Sequence, residues 1–173
     1  GVAEKILPRN TPIPASAAQV FTTYADNQTG FELHVLQGER ELASDCRSLA
    51  RFTLRGIPPL PAGMARLEVR FDVDADGLLK VSARELTTGI AQQIEVKPSY
   101  GLAEEDIERM LLDAYDHAET DVAARALQEE RTEAERICAA TEKALTVDAA
   151  LLEPGEGAAI RTALAAVREA ARA

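Results

Sequence analysis

The sequence predicts an antiparallel β-sandwich followed by an α-helical arm, and three observations predict it. Apolar residues recur with period two up to about residue 100 and with helical spacing beyond it. Turn-forming residues crowd the first part, which holds seven of the eight prolines, seven of the ten glycines and all four phenylalanines. Charge divides at the same place: residues 1–100 carry 11 basic and 12 acidic groups, residues 101–173 carry 8 and 17. We therefore expect two bodies, 1–100 and 101–173, joined near Tyr100.

The first element expected is a strand over Gly1–Leu7. The chain opens there without Met or leader, so it reads as a piece of a longer protein. Pro8, Pro12 and Pro14 then form a rigid non-helical connector. Val20 to Arg40 reads as a hairpin. Phe21, Thr22 and Thr23 favour an extended chain, Ala25–Gly30 supplies turn chemistry, and Phe31, Leu33 and Val35 alternate with Glu32 and His34 up to Gly38. Glu41–Cys46 is polar and suits a turn or a short irregular strand. Leu49–Arg55 alternates again, and Ile57–Gly63 is a proline-rich loop that cannot pair inside a sheet.

A second hairpin is plainer. Leu67, Val69, Phe71 and Val73 alternate with Glu68, Arg70 and Asp72, Asp74–Gly77 turns the chain, and Leu79, Val81 and Ala83 return. Thr87-Thr88-Gly89 makes a further turn, and Ile94 and Val96 mark a last strand before Pro98. About seven short strands punctuated by turns suit an antiparallel sandwich.

Beyond Leu102, Glu104, Glu105 and Asp106 sit where a helix N-terminus favours acids. Ile107, Met110, Leu111 and Ala114 form an apolar stripe that continues through Ala118 and Val122. A second stretch carries Leu127, Ala134, Ile137, Cys138, Thr141 and Leu145. Periodicity leaves open whether Ala103–Leu145 is one helix or two; a break, if present, is expected at Asp116-His117. Pro154–Gly157 interrupts, and Ile160, Ala163, Leu164 and Val167 define a last amphipathic helix.

Several functions find no support. A net charge of −10 gives no electrostatic reason to bind nucleic acid or an anionic membrane, and no apolar run is long enough to span a bilayer. Cys46 and Cys138 lie in different halves without metal-ligand spacing and read as reduced thiols in a cytoplasmic protein. His34 and His117 are paired with no nucleophile, and the glycines stand singly, without a phosphate loop. The residues thus give no sign of an enzyme. Asp72–Gly77 matches the first half of a calcium loop, but its twelfth position is Ala83, where a bidentate Glu is needed, and its flanks are strands. A calcium-binding structural module built on Asp72–Asp76 is the reading outside the binding-protein class.

Specific motifs carry a resemblance. Asp26-Asn27-Gln28-Thr29, His34-Val35-Leu36-Gln37-Gly38-Glu39-Arg40, Phe71 through Ala83 and Tyr100-Gly101-Leu102 together resemble the substrate-binding domain of the seventy-kilodalton heat-shock chaperones, the DnaK type. Pro8-Arg9-Asn10-Thr11, Asp45 through Phe52, Leu54 through Pro58, Leu60 through Gly63 and Val96 through Leu102 are similar to the HscA branch, the chaperones of iron–sulfur cluster assembly.

The resemblance implies a β-sandwich peptide-binding subdomain closed by an α-helical lid subdomain. By position it implies an apolar pocket of Phe21, Phe31 and Leu33, lined by Met64 and Leu67, with Thr22, Tyr24 and Gln28 against the client backbone. Arg40 and Asp121 would form a lid latch. Ala62 and Ala139 stand where DnaK-like members carry an arginine and a histidine, so a weaker latch is expected. The implied partners are a client peptide of an iron–sulfur scaffold protein, with a Leu-Pro-Pro-Val-Lys-like segment, and a J-domain co-chaperone for the full-length protein. A strand and a groove loop are expected before Gly1, with self-association through the sheet edge they would otherwise cover. No catalytic residue, no metal and no cofactor are expected in this segment, ATP and Mg belonging to a nucleotide-binding domain outside it. The alternative within the family is a general DnaK-like chaperone for unfolded proteins.

Overall fold

A computed structural model describes residues 1–173. Six strands and three helices follow one another: β1 (Ala15–Thr22), β2 (Gly30–Gln37), β3 (Arg47–Arg55), β4 (Arg66–Val73), β5 (Leu79–Glu85), β6 (Ala91–Val96), α1 (Glu104–Asp116), α2 (Ala118–Val147) and α3 (Glu156–Arg172). All strand pairing is antiparallel. One sheet has the order β1-β4-β5-β6 and the other is the pair β2-β3.

Both sheets contribute to one apolar core. Val35 and Leu54 come from the pair, and Leu67, Val69, Leu79, Val81 and Ala83 from the four-stranded sheet. Partly buried Phe21, Phe31, Leu33, Phe52 and Phe71 pack against them. The alternation expected in β4 and β5 is what places Val69 and Val81 inward, at 2% and 0% exposure, while Arg70 and Lys80 face out or to the flank.

Two expectations are corrected. Gly1–Leu7 forms no strand; it makes an isolated bridge, Val2 to Leu42, flanked by Ala3 N–H to Glu41 O at 2.8 Å and Ala43 N–H to Gly1 O at 2.9 Å. Val20–Arg40 is not a hairpin either. β1 pairs with β4, Phe21 opposite Leu67, whereas β2 pairs with β3, Phe31 opposite Leu54. The polar segment between β1 and β2 therefore crosses from one sheet to the other. Turn chemistry reports that the chain bends, but which strand it meets depends on the apolar faces of β3 and β4, far away in sequence. Glu41–Cys46 holds a short 3₁₀ turn at Ala43–Asp45.

The strand-to-helix change falls between Val96 and Glu104, while the compact units are Gly1–Asp121 and Val122–Ala173. Within the first unit, Asp106 accepts a hydrogen bond from the Ala103 N–H at 3.2 Å and so closes the N-terminal turn of α1. α1 ends at Asp116, and His117, at φ −102° and ψ 6°, separates it from α2. In the second unit α2 and α3 share buried Cys138 and Leu164, and Arg168 reaches Glu142 with both guanidinium Nη atoms. No helix is long and apolar enough to cross a membrane.

Candidate functional site: an apolar strand end and an arginine clasp

The register brings the predicted groove residues to one end of the two sheets. Phe21 lies near the end of β1 opposite Leu67 near the start of β4, and Phe31 near the start of β2 lies opposite Leu54 near the end of β3. Leu33, two residues on, faces Phe52. Leu67 is only 2% exposed, so it supports Phe21 from within the core and does not line a surface. Thr22 is exposed.

Two large apolar side chains stand out into solvent nearby. Tyr24 is 75% exposed and Met64 61%. Their loops are tied together: Gly63 N–H donates to Thr23 O at 2.8 Å and to Thr23 Oγ1 at 3.2 Å, Asn27 N–H to Leu60 O at 2.8 Å, and Ala62 N–H to Asp26 Oδ1 at 2.9 Å. The proline-rich loop cannot enter a sheet, so its few N–H groups find these acceptors instead. Gln28 braces the same region, its Oε1 accepting from Tyr24 N–H at 3.2 Å and its Nε2 donating to Gly30 O at 2.8 Å. Its amide thus makes one bond at each end within its own loop.

Arg40 forms the second feature. Its guanidinium meets Asp121 at two points, Nε to Oδ2 at 2.6 Å and Nη2 to Oδ1 at 2.9 Å, and Nη1 meets Asp113 Oδ2 at 2.5 Å. Asp45 lies 3.4 Å from Nη2, and Glu41 N–H donates to Asp121 Oδ2 at 3.3 Å. Asp113 and Asp121 are eight residues apart, which in an unbroken helix separates them by about 12 Å along the axis. The break at His117 lets carboxylates from α1 and α2 converge on one guanidinium. The hydrogen bond from Arg40 holds the Asp121 carboxyl below the usual carboxylate range, against the opposing effect of burial.

Two other predicted features are accounted for by neighbours. Asp74 Oδ1 accepts from Asp76 N–H and Leu78 N–H, both at 2.9 Å, and Asp72 Oδ1 is taken by Ser16 and Arg70. These contacts close a hairpin turn, and no group of three His, Cys, Asp or Glu side chains is placed there to hold a metal ion, so the calcium reading is not favoured. His34 Nε2 lies 2.8 Å from Ser48 Oγ, and burial followed by Arg51 lowers its pKa. Asp113, Asp45 and Arg47 (taken up below) are functional candidates that sequence reasoning missed. Asp113 carried no signal that set it apart on an acid-rich helix.

The two-sheet body, apolar strand end and charge-clasped helices are compatible with a peptide-handling protein, and comparison with known proteins gives the class: the family model described as Hsp70 protein matches residues 1–173. The chain belongs to the Hsp70 family of chaperones. Its relatives include proteins named Chaperone protein HscA homolog, from Cupriavidus taiwanensis (58% identical over 171 residues, 99% of this chain and 28% of the relative), Ralstonia pickettii (59% over 168 residues, 97% and 27%) and Pseudomonas aeruginosa (57% over 172 residues, 99% and 28%). It is HscA-like, and it spans about 28% of the length of these relatives.

The match corrects the expectation of a non-enzyme without a cofactor. The chain is assigned over its whole length to a family whose resemblance implies ATP hydrolysis with magnesium, so neither absence is retained as a description of the protein. A magnesium nucleotide is held by successive backbone N–H groups closing on phosphate and by carboxylates on the metal. Residues 1–173 do not fit that group: the positive-φ glycines stand singly in turns and connections, and Asp113 and Asp121, which converge, are both taken by Arg40. No chemical step is derived through it.

Proposed function

We propose that residues 1–173 are the client-handling part of an HscA-like chaperone, binding an extended peptide segment in an apolar groove whose release is governed by the helices clasped at Arg40. The observation that carries this reading is the pair Tyr24 and Met64. Large apolar side chains on two loops bound to each other, beside partly buried Phe21, Phe31 and Leu33, form a surface that water disfavours and a client side chain would cover. Broad but limited specificity follows from one apolar pocket combined with hydrogen bonding to an extended backbone. The client we infer is a scaffold protein of iron–sulfur assembly, presenting a Leu-Pro-Pro-Val-Lys-like segment in the cytoplasm, with a J-domain co-chaperone acting on the full-length protein.

The test is fluorescence anisotropy of a labelled Leu-Pro-Pro-Val-Lys peptide titrated with the full-length protein and with its Phe31→Ala variant. Saturable binding that weakens at least tenfold in the variant supports the reading, since truncating a buried aromatic anchor costs on the order of 2 kcal/mol or more. Equal affinity for both proteins overturns the pocket. Binding of unrelated apolar peptides with no preference for this one would favour the general-chaperone alternative.

A further inference from the structure

α1 contains no fully buried residue, although Met110, Leu111 and Ala114 are half-buried, so packing alone does not explain what holds it to the sheets. Polar contacts add to it, and they come from the two ends of one connection. Arg40 lies between β2 and β3 and takes Asp113 near the C-terminal end of α1. At the other end of the same connection, Arg47 opens β3 opposite Gln37, the last residue of β2. Its Nη1 donates to Gln37 Oε1 at 2.9 Å and to Pro98 O at 2.7 Å, and its Nη2 donates to Tyr100 O at 2.6 Å. Pro98 and Tyr100 belong to the segment that leads from β6 into α1. Gly101, at φ +69°, follows at once, and a Cβ placed there would come within 3.9 Å of Arg47 Nη2.

We propose that Arg47 is a positioning residue, the pivot that fixes the strand-to-helix connection while the Arg40 clasp opens and closes. A guanidinium spanning two carbonyls in fixed fork geometry determines a path in a way that a single contact cannot. Gln37 orients it and lies on the strand that carries Phe31 and Leu33. The grip therefore links the strand of the candidate groove to the start of the helices. Opening at Arg40 then swings α1 about a held point instead of freeing the whole connection. The link to client release rests on the function proposed above; the pivot itself does not.

Hydrogen exchange and peptide release, measured on full-length protein, test the two separately. In Arg47→Ala the amides of Tyr100, Leu102, Asp106 and Ile107 are expected to exchange about tenfold faster, the scale of one lost charged hydrogen bond, while β2 and β3 amides keep their rates. Arg47→Lys, which reaches one carbonyl but cannot span two, gives an intermediate rate, and labelled peptide leaves faster from Arg47→Ala. Unchanged exchange at Tyr100 and Leu102 in Arg47→Ala overturns the pivot. So does a general rise across β2 and β3, which would mean simple loss of the fold. Faster connector exchange in a protein that never binds peptide upholds the pivot and removes the peptide-binding reading instead.

Discussion

Arg40 and Asp121, 81 residues apart in the chain, meet through two hydrogen bonds of 2.6 and 2.9 Å, with side chains only 14% and 7% exposed. A pair so shielded differs from an ordinary surface ion pair, which contributes about 0–1 kcal/mol. It is also not isolated, because Asp113 and Asp45 approach the same guanidinium.

A double-mutant cycle on Arg40→Ala and Asp121→Ala is expected to give a coupling of about 1–2 kcal/mol, above the surface value and within the range of charge-assisted hydrogen bonds. Asp113→Ala alone should cost less, because Asp121 keeps two contacts when Asp113 is gone. Denaturant unfolding monitored on the Gly1–Asp121 unit measures all three. A coupling indistinguishable from zero would mean that the pair is closed without being stabilising.

Glu85 predicts a particular acid sensitivity. Its side chain is fully buried, and burial pushes its pKa up. The N–H and hydroxyl of Thr88 and the N–H of Thr87 outweigh that effect by donating to Oε2 at 2.6, 2.8 and 3.0 Å, bringing the pKa down to about 2. The folded value lies below the ordinary one of 4.5, so the stabilisation is complete above that value and is lost as pH falls toward 2. Its size is on the order of 3 kcal/mol. Glu85→Gln should therefore destabilise by about 2 kcal/mol at pH 7 and by much less near pH 2, where the native carboxyl is itself protonated. Equal penalties at both pH values would show that the carboxylate charge is not what holds the Thr87-Thr88 turn.

Local chemistry was read well from sequence where it decides the structure by itself. The Leu67–Ala83 hairpin and the Thr87-Thr88-Gly89 turn lie where periodicity and turn residues put them, whereas periodicity left one helix or two open for Ala103–Leu145 and only the place of a break, at His117, was named. Partner choice was not legible. Nothing in Val20–Arg40 says that Phe21 will face Leu67 and Phe31 will face Leu54, since both strands carry the same alternation and the segment between them is turn-like either way. The site divides similarly. Phe21, Phe31, Leu33 and Arg40 were picked out by resemblance alone, because an aromatic on a core strand and an arginine in a loop carry no local mark. Arg47 was missed, since its partners are backbone carbonyls and carbonyls have no sequence signature.

The Val122–Ala173 unit depends on few buried groups, so one truncation should act strongly on it. Leu164 is 8% exposed and its carbonyl lies 4.0 Å from the Cys138 sulfur, itself 1% exposed. Leu164→Ala is expected to destabilise the α2–α3 pairing by about 2–3 kcal/mol, the lower part of the range for a core leucine. Hydrogen exchange should show faster opening of α3 and of α2 around Cys138, with the β4–β5 amides unaffected. Simultaneous loss of protection in both units would mean that they unfold as one.

Gln28 separates a bracing role from a client-contacting one. Its amide already bridges Tyr24 N–H and Gly30 O, so the loop that carries exposed Tyr24 is held from inside. Gln28→Ala removes both bonds and should loosen the loop at a cost of about 1 kcal/mol, with faster exchange of the Tyr24 amide. Gln28→Glu keeps the acceptor for Tyr24 N–H but loses the donor to Gly30 O, and should lie between wild type and Ala. If bracing is the main role, peptide affinity falls in step with Tyr24 exchange across the three proteins. If Gln28 contacts the client directly, affinity falls while Tyr24 exchange stays as in the wild type, and the bracing account fails.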